Sequence, residues 1–342
     1  MSLMLNETRS IPAMLQRMLD DDSAIQALVA QLADDLPDLM ITVARGSSDH
    51  AAAFFAHAMM SQIGIPSLSI ALSLVSLHTP PLRLKKCWVA ALSQSGKSPD
   101  LIASVRYLQE RGATATAFVN TADSALAQVT DSEILLPAGL EQSVAATKSY
   151  VAMLMAAAQT VGYLGDRLGI NSGLSAALKQ LPGQVAEVQN EDWSLAISTL
   201  VQTEKMIVIG RGPALPIAQE AALKLKETSG IQAEAFSSAE VKHGPMEIIE
   251  EGYPVLLFAP SGPEQAGTLV FAEEMRARGA QVLVVAPRGN PAANLPSVPT
   301  DDPLLEPLTM IQGFYLMAQA LAEARGRNPD QPRFLKKVTE TR

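Results

Sequence analysis

Short β-branched runs alternate with longer alanine-rich stretches whose apolar residues recur at helical spacing, and the alternation continues almost from end to end of the chain. Met40-Ile-Thr-Val-Ala ends in Arg45-Gly46 and leads into a helical stretch from His50 to Met60. Met206-Ile-Val-Ile-Gly ends in Arg211-Gly212 and leads into another, Ile217 to Lys226. The two units lie at an offset of about 166 residues, and the echo goes further. Ser95-Gly96 after the apolar run Trp88 to Leu92 matches Ser261-Gly262 after Val255 to Ala259, and Arg111-Gly112-Ala113 matches Arg278-Gly279-Ala280. Strands separated by helices predict parallel sheets joined by right-handed crossovers, with helices on both faces. The pattern therefore predicts an α/β fold made of two doubly wound parallel-sheet domains, an internal duplication over 33–170 and 199–327. A helical N-terminal arm (1–32), a connector (171–198) and a Pro-bearing C-terminal tail (328–342) complete the organisation. Ligands in such sheets sit beyond the carboxyl ends of the strands, so the loops after Val43, Leu92, Ile209 and Ala259 are where chemistry is expected.

At those loops the copies differ. The first keeps hydroxyls, Gly46-Ser47-Ser48 and Ser93-Gln94-Ser95-Gly96-Lys97-Ser98, where the second has Gly212-Pro213-Ala214 and Ala259-Pro260-Ser261-Gly262. Ser93, Gln94, Ser95 and Ser98 crowd one turn ahead of a helix beginning near Pro99, and a Ser/Gly turn opening a helix offers hydroxyls and N–H groups to an anion. The plainer alternative makes Ser98 an N-cap and gives the other serines to turn backbone. Loss of the hydroxyls from only one copy favours a ligand, because a purely structural need would be shared. The second copy carries ionisable groups instead. Glu220, Lys224 and Glu227 share one helical face, which by spacing alone is what a solvated face with an ordinary ion pair looks like. Ser237-Ser-Ala-Glu240 reads as a capping box leading into Lys242-His243-Gly244-Pro245, whose Gly-Pro step predicts a fixed loop around His243.

Composition narrows the function. A net charge of -9, with no clustered Lys/Arg face, excludes a nucleic-acid partner and an acidic membrane surface while leaving a small anionic substrate open. The single cysteine, Cys87, permits neither an internal disulfide nor a thiolate metal site. His50, His57, His78 and His243 lack paired ligand spacing, so neither metal nor organic cofactor is expected, and His50 and His57 read as packing or surface residues. Arg45 and Arg211, present in both copies, read as structural. No basic and then apolar leader opens the chain, and the apolar stretch Val151 to Gly165 is too short to span a bilayer and reads as a buried helix; the expected compartment is the cytosol.

Five motifs in order, Ser93-Gln-Ser-Gly96, Val144-Ala-Ala-Thr-Lys148, Glu220-Ala-Ala-Leu-Lys-Leu-Lys-Glu227, Glu240-Val-Lys-His-Gly-Pro245 and Asp330-Gln-Pro-Arg-Phe-Leu-Lys-Lys337, resemble the isomerase half of glucosamine-6-phosphate synthase. That half consists of two sugar-isomerase (SIS) domains. The synthase's glutaminase domain has no counterpart in these residues, and the chain is then most similar to the SIS-type glucosamine-6-phosphate deaminases, which yield fructose 6-phosphate and ammonia. The resemblance implies that Ser48, Ser93, Gln94, Ser95 and Ser98 contact phosphate and sugar, and that the backbone at Val144 meets a sugar hydroxyl. It implies an acid/base at Glu227 with Lys224 beside it, ring opening by His243 reaching over from the neighbouring subunit of a homodimer, and a Schiff-base lysine at Lys337, with Lys336 one position away. Ala146, where the synthase has a sugar-binding serine, and Lys97, where it has an acidic residue, depart from the pattern.

The expected chemistry converts glucosamine 6-phosphate to fructose 6-phosphate and ammonia. His243 opens the ring; Glu227 moves a proton from C2 to C1; water hydrolyses the imine. Binding of the distant phosphate holds the open chain in place. The alternatives are a fructosamine-6-phosphate deglycase, which needs a roomier mouth, a plain aldose-ketose phosphosugar isomerase, and a non-enzymatic sugar-phosphate regulator. Against the last stands Asp20-Asp21-Asp22, with no basic recognition helix.

Overall fold

Runs in which every side chain is apolar need cover on both faces, and a parallel sheet between two layers of helices provides it. A computed structural model describes residues 2–170, 173–335 and 337 and shows this architecture in each half. Strands β1 (Leu39–Val43), β2 (Ser67–Ser69), β3 (Cys87–Ser93), β4 (Thr114–Val119) and β5 (Ser132–Leu135) form one five-stranded parallel sheet in the order β2-β1-β3-β4-β5. Strands β6 (Lys205–Gly210), β7 (Gln232–Ser237), β8 (Pro254–Phe258), β9 (Gln281–Pro287) and β10 (Leu295–Ser297) form the other, in the order β10-β9-β8-β6-β7. Copy for copy the two orders are the same, so the duplication read from the sequence is a duplication of topology. Every residue of β3 is buried, and its pairing runs parallel to β1 on one side and to β4 on the other.

Two compact units arise. One is built from Ala13–Glu141 and Lys148–Lys179; the other takes Gln180–Lys337, the loop Gln142–Thr147 and the described residues up to Pro12. The N-terminal arm is helical, as Leu3–Arg9, Ile11–Asp20 and Ser23–Asp34. In the first unit Phe55, Trp88 and Phe118 meet edge to face above the sheet, and the indole N–H of Trp88 is satisfied by Thr116 Oγ1 at 3.0 Å. The apolar stretch around Val151 lies inside the helix Lys148–Arg167, most of which is buried. No described helix is long and apolar enough to cross a membrane.

Local chemistry departs from expectation in two places, the helix starts and the capping box at Ser237, and it also rules out the N-cap alternative at Ser98. The helices after β1 and β6 begin earlier than their alanine-rich pattern suggests, at Ser47 and Leu215. Each continues into a π-helical turn, Met59–Ile63 and Leu225–Ser229, that ends on a left-handed glycine, Gly64 at φ +84 and Gly230 at φ +63. Ser98 precedes the helix Pro99–Gln109 without a side-chain cap bond, because the N–H of Leu101 is taken by Asp100 Oδ1 at 3.0 Å. The expected capping box at Ser237-Ser-Ala-Glu240 does not form either. Ser237 closes β7, its hydroxyl oxygen accepts the nearby Ala239 N–H, and only a 3-10 turn, Glu240–His243, follows.

Candidate active site

The strand orders put β1 beside β3 and β6 beside β8, so each unit has its topological switch point at the pair of loops singled out by the repeat. In the first copy, Ser93 closes β3 in a buried position and its Oγ accepts the Gly96 N–H at 3.0 Å, while Ser95 Oγ accepts from Lys97 N–H at 3.4 Å. The carbonyl of Gln94 takes the Asn120 N–H and that of Gly96 takes the Leu126 N–H, at 3.2 and 2.9 Å. Gly96 has φ +60, and a Cβ there would lie 2.3 Å from Ser124 Oγ, so this tight turn requires glycine. The turn backbone is thereby pinned from below, leaving Gln94, Ser95 and Ser98 half-buried. Ser48, also half-buried, stands in the first turn of the helix Ser47–Ala58, behind Gly46 at φ +56. Arg45 turns to Asp100, 2.8 Å away, and so serves the fold. His50 and His57 are half-buried on the same helix.

The second copy keeps the backbone of both turns and fills them itself. Gly212 repeats φ +56, and the carboxylate of Glu264 lies so close that a Cβ on Gly212 would be 2.6 Å from its Oε1. Ser261 donates its N–H to Glu306 Oε2 at 2.5 Å. Glu306 is buried, and burial raises its carboxyl above the ordinary value although hydrogen bonds from Ser261 and the Thr300 N–H work the other way. An incoming phosphate would meet two carboxylates at this switch point. The structure thus adds a reason for the asymmetry: the second copy's turns are filled by Glu264 and Glu306, whereas the first copy's turns keep their hydroxyls, with the nearby Asp100 turned to Arg45.

The ionisable face of the helix Leu215–Lys224 is not solvated. Glu220 is 0% and Lys224 1% exposed, which overturns the reading of an ordinary surface pair. Lys224 Nζ lies 2.6 Å from Glu227 Oε2 and 3.3 Å from Glu220 Oε1, and the Tyr315 hydroxyl donates to Glu220 Oε1 at 3.1 Å. Burial alone would lower the Lys224 ammonium; the charges and hydrogen bonds of Glu220 and Glu227 outweigh it, and its pKa stands above the ordinary value. Glu227 is the one member open to solvent, 17% exposed, on the π turn. The first copy has the same π turn with Ser61 at the corresponding position, so the turn belongs to the duplicated fold and the carboxylate on it is the novelty.

The tail brings two more expected residues together. Lys337 Nζ donates to the Ser143 carbonyl at 2.7 Å, and Val144 N–H donates to the Asp330 carbonyl at 3.2 Å. Lys336 lies outside the described residues. Leu223, Lys226, Glu227, Arg327, Phe334 and Leu335 help to line a hollow of about 430 Å³. His243 is exposed at the end of its 3-10 turn, held by Gly244 at φ +146 and Pro245. Among the described residues no group of three or more His, Cys, Asp or Glu is placed to hold a metal ion. Sequence reasoning missed Tyr315, Glu306 and Glu7, whose partners lie far away along the chain and leave no local periodic signal.

The SIS domain model matches residues 38–161 and 199–298. The chain belongs to the SIS-domain family. The glutamine–fructose-6-phosphate aminotransferase (isomerizing) of Corynebacterium glutamicum is 32% identical to this SIS-domain protein over 88% of the chain and 51% of its own length. That of Thermus thermophilus is 35% identical over 72% of the chain and 43% of its length. The chain thus spans about half the length of the curated relatives it matches. Among solved structures, one from Silicibacter pomeroyi DSS-3, described as a candidate phosphosugar isomerase, superposes with a TM-score of 0.90 at 38% identity, covering 96% of this chain and all (100%) of that one. The C-terminal domain of a glucosamine-fructose-6-phosphate aminotransferase from Francisella tularensis shares the fold at TM-score 0.88 and 23% identity, covering 97% of this chain and 98% of that one.

Two outcomes follow from these charges. Lys224→Met leaves Glu220 without its neutralising partner, and urea unfolding should show a loss of about 3–5 kcal/mol; an unchanged midpoint would mean that the cluster is not charged. A carboxyl raised in the folded state contributes stability that is complete below its unfolded value, 4.5, and that is lost as pH rises through the folded value. Glu306→Gln, which keeps an acceptor for Ser261, should therefore compare more favourably with the wild type at pH 7 than at pH 4 in denaturant midpoints. The opposite trend would place Glu306 as a stabilising anion.

Proposed function

We propose that this SIS-domain protein is a deaminating isomerase of amino-sugar phosphates, converting glucosamine 6-phosphate and water to fructose 6-phosphate and ammonia. The observation that carries the reading is the buried relay Tyr315–Glu220–Lys224 ending in a solvent-reaching carboxylate, Glu227. Burying two charges, Glu220 and Lys224, is expensive in stability, and a chain that needed only packing would do as well with apolar residues there. Lys224 holds Glu227 in one orientation, which is what a group that must take a proton from C2 and return it to C1 requires.

His243 transfers the proton from the anomeric hydroxyl to the ring oxygen and frees the aldehyde. Glu227 then removes the C2 proton, giving an enolamine, and delivers it to C1, giving an imine at C2. Water adds to that imine and ammonia leaves. The hydroxyl turns of the first copy, Ser48 and Ser93 to Ser98, bind the phosphate. The backbone at Val144 meets a sugar hydroxyl, and Lys337 stands ready for the open ketose. Cys87, the single cysteine, is buried in β3, so no thiol among these residues draws ammonia from an amide. Similarity to the isomerizing aminotransferases supports the substrate class.

One feature favours a second reading, a fructosamine-6-phosphate deglycase. The hollow beside Glu227 has apolar walls from Leu223, Phe334 and Leu335 and cations from Arg327 and Arg333, and these suit a substituent ending in a carboxylate.

Glu227→Gln should lower ammonia release from glucosamine 6-phosphate by about 10²–10⁴-fold while leaving sugar-phosphate binding intact. Turnover near the wild-type rate removes Glu227 from the mechanism, and release of an amino acid from fructosamine phosphates without ammonia from the amino sugar selects the second reading. The proposal also takes His243 from a second copy of the chain. Mixed dimers of Glu227→Gln and His243→Ala chains should then regain activity that neither variant shows alone; no recovery in verified mixed dimers places His243 in its own chain's site.

A further inference from the structure

Lys337 and Val144 belong to segments that have little regular structure of their own, a tail and a loop, and something must fix them. The N-terminal helix Leu3–Arg9 meets both. Its first free N–H groups, those of Leu3 and Met4, are capped by the two carboxylate oxygens of Asp330, each at 2.8 Å. At its other end the buried carboxylate of Glu7 accepts through Oε1 from the Gln142 N–H at 2.5 Å and the Ser143 N–H at 3.4 Å. Two residues later the circuit closes, for Val144 donates its N–H to the backbone carbonyl of Asp330. Helix, loop and tail thus form one ring of covalent and hydrogen bonds, and Lys337 hangs from it on the carbonyl of Ser143. The helix is itself anchored, since Gln312 Nε2 donates to Thr8 O at 3.1 Å.

We propose that Glu7, with Asp330 as its counterpart, is a positioning residue of the candidate site: it sets the backbone at Ser143 and Val144 and, through Ser143, the resting place of the Lys337 amine. The inference rests on the reading of Val144 and Lys337 as substrate-facing. Neither carboxylate touches substrate. A charge on Glu7 is used because two backbone N–H groups converge on one buried oxygen, and a charged acceptor binds them more tightly than a neutral one. A loop held only by main-chain bonds would sample several placements, and each misplacement weakens the grip on the sugar.

The test compares wild type, Glu7→Gln, Glu7→Ala and Asp330→Asn in the full chain. Hydrogen exchange without ligand comes first, because it needs no assumption about the reaction. The amides of Gln142, Ser143 and Val144 should exchange faster in all three variants, most in Glu7→Ala, while the strands keep wild-type protection. Kinetics with glucosamine 6-phosphate follow. KM should rise about tenfold in Glu7→Gln, with kcat within about threefold of wild type, the signature of lost ground-state placement rather than lost chemistry. Unchanged exchange at those amides overturns the proposal, and so does faster exchange with unchanged KM, which would make the helix a fold element only. Should Glu7→Ala fail to fold, Glu7→Gln and Asp330→Asn still decide. A wild type that releases no ammonia sinks the functional reading alone, and the exchange comparison then still decides whether Glu7 holds the loop.

Discussion

An ammonium removed from water must be neutralised where it stands, and the second unit is organised around that requirement at Lys224. Two carboxylates answer it, Glu220 from below and Glu227 from the solvent side, and Tyr315 completes the hydrogen bonding of the deeper one. The consequence is directional. Because the buried end is satisfied by protein groups, only Glu227 of the three charges retains an edge toward solvent, and its orientation is set by a buried, ion-paired partner. Removing one member leaves a charge behind rather than a gap, which ties the integrity of this part of the core to the group proposed for proton transfer.

Around that cluster the duplicated fold supplies places and divergence assigns them work. Both copies build the same left-handed glycine after the first strand and the same π turn at the end of the following helix. On this shared backbone, the second copy sets its own carboxylates, Glu264 and Glu306, against the loops of its switch point, and the first leaves hydroxyls at its own. An anion site and an internally filled counterpart therefore arise from one topology through a few side chains. The π turn teaches the same lesson from the other side. Such turns often mark functional sites, but here it recurs in both copies, so its presence carries no functional weight and the residue standing on it does.

Much of the fold was legible because its signal is local and repeated. The runs before Arg45-Gly46 and Arg211-Gly212, the Ser-Gly turns and the alanine-rich helices predict a duplicated parallel α/β architecture from spacing alone, and the strands, their order and the family match agree. Capping was misread at Ser237, where the same residue satisfies a turn as readily as a helix end, while the capping alternative at Ser98 falls because the neighbouring Asp100 carboxylate takes the Leu101 N–H.

By itself the sequence determined the period, the strand ends that carry chemistry, and which residue types stand there, since these depend only on what lies within a few residues along the chain. Burial and long-range pairing were decided by tertiary structure. Spacing places Glu220, Lys224 and Glu227 on one face but cannot say whether that face meets water, and an answer either way inverts the meaning of the charges. Nor can it reveal that Glu7 reaches the N–H groups of Gln142 and Ser143, or that Glu306 sits on Ser261. Those contacts join positions far apart along the chain, and only the packed molecule brings them within the reach of a hydrogen bond.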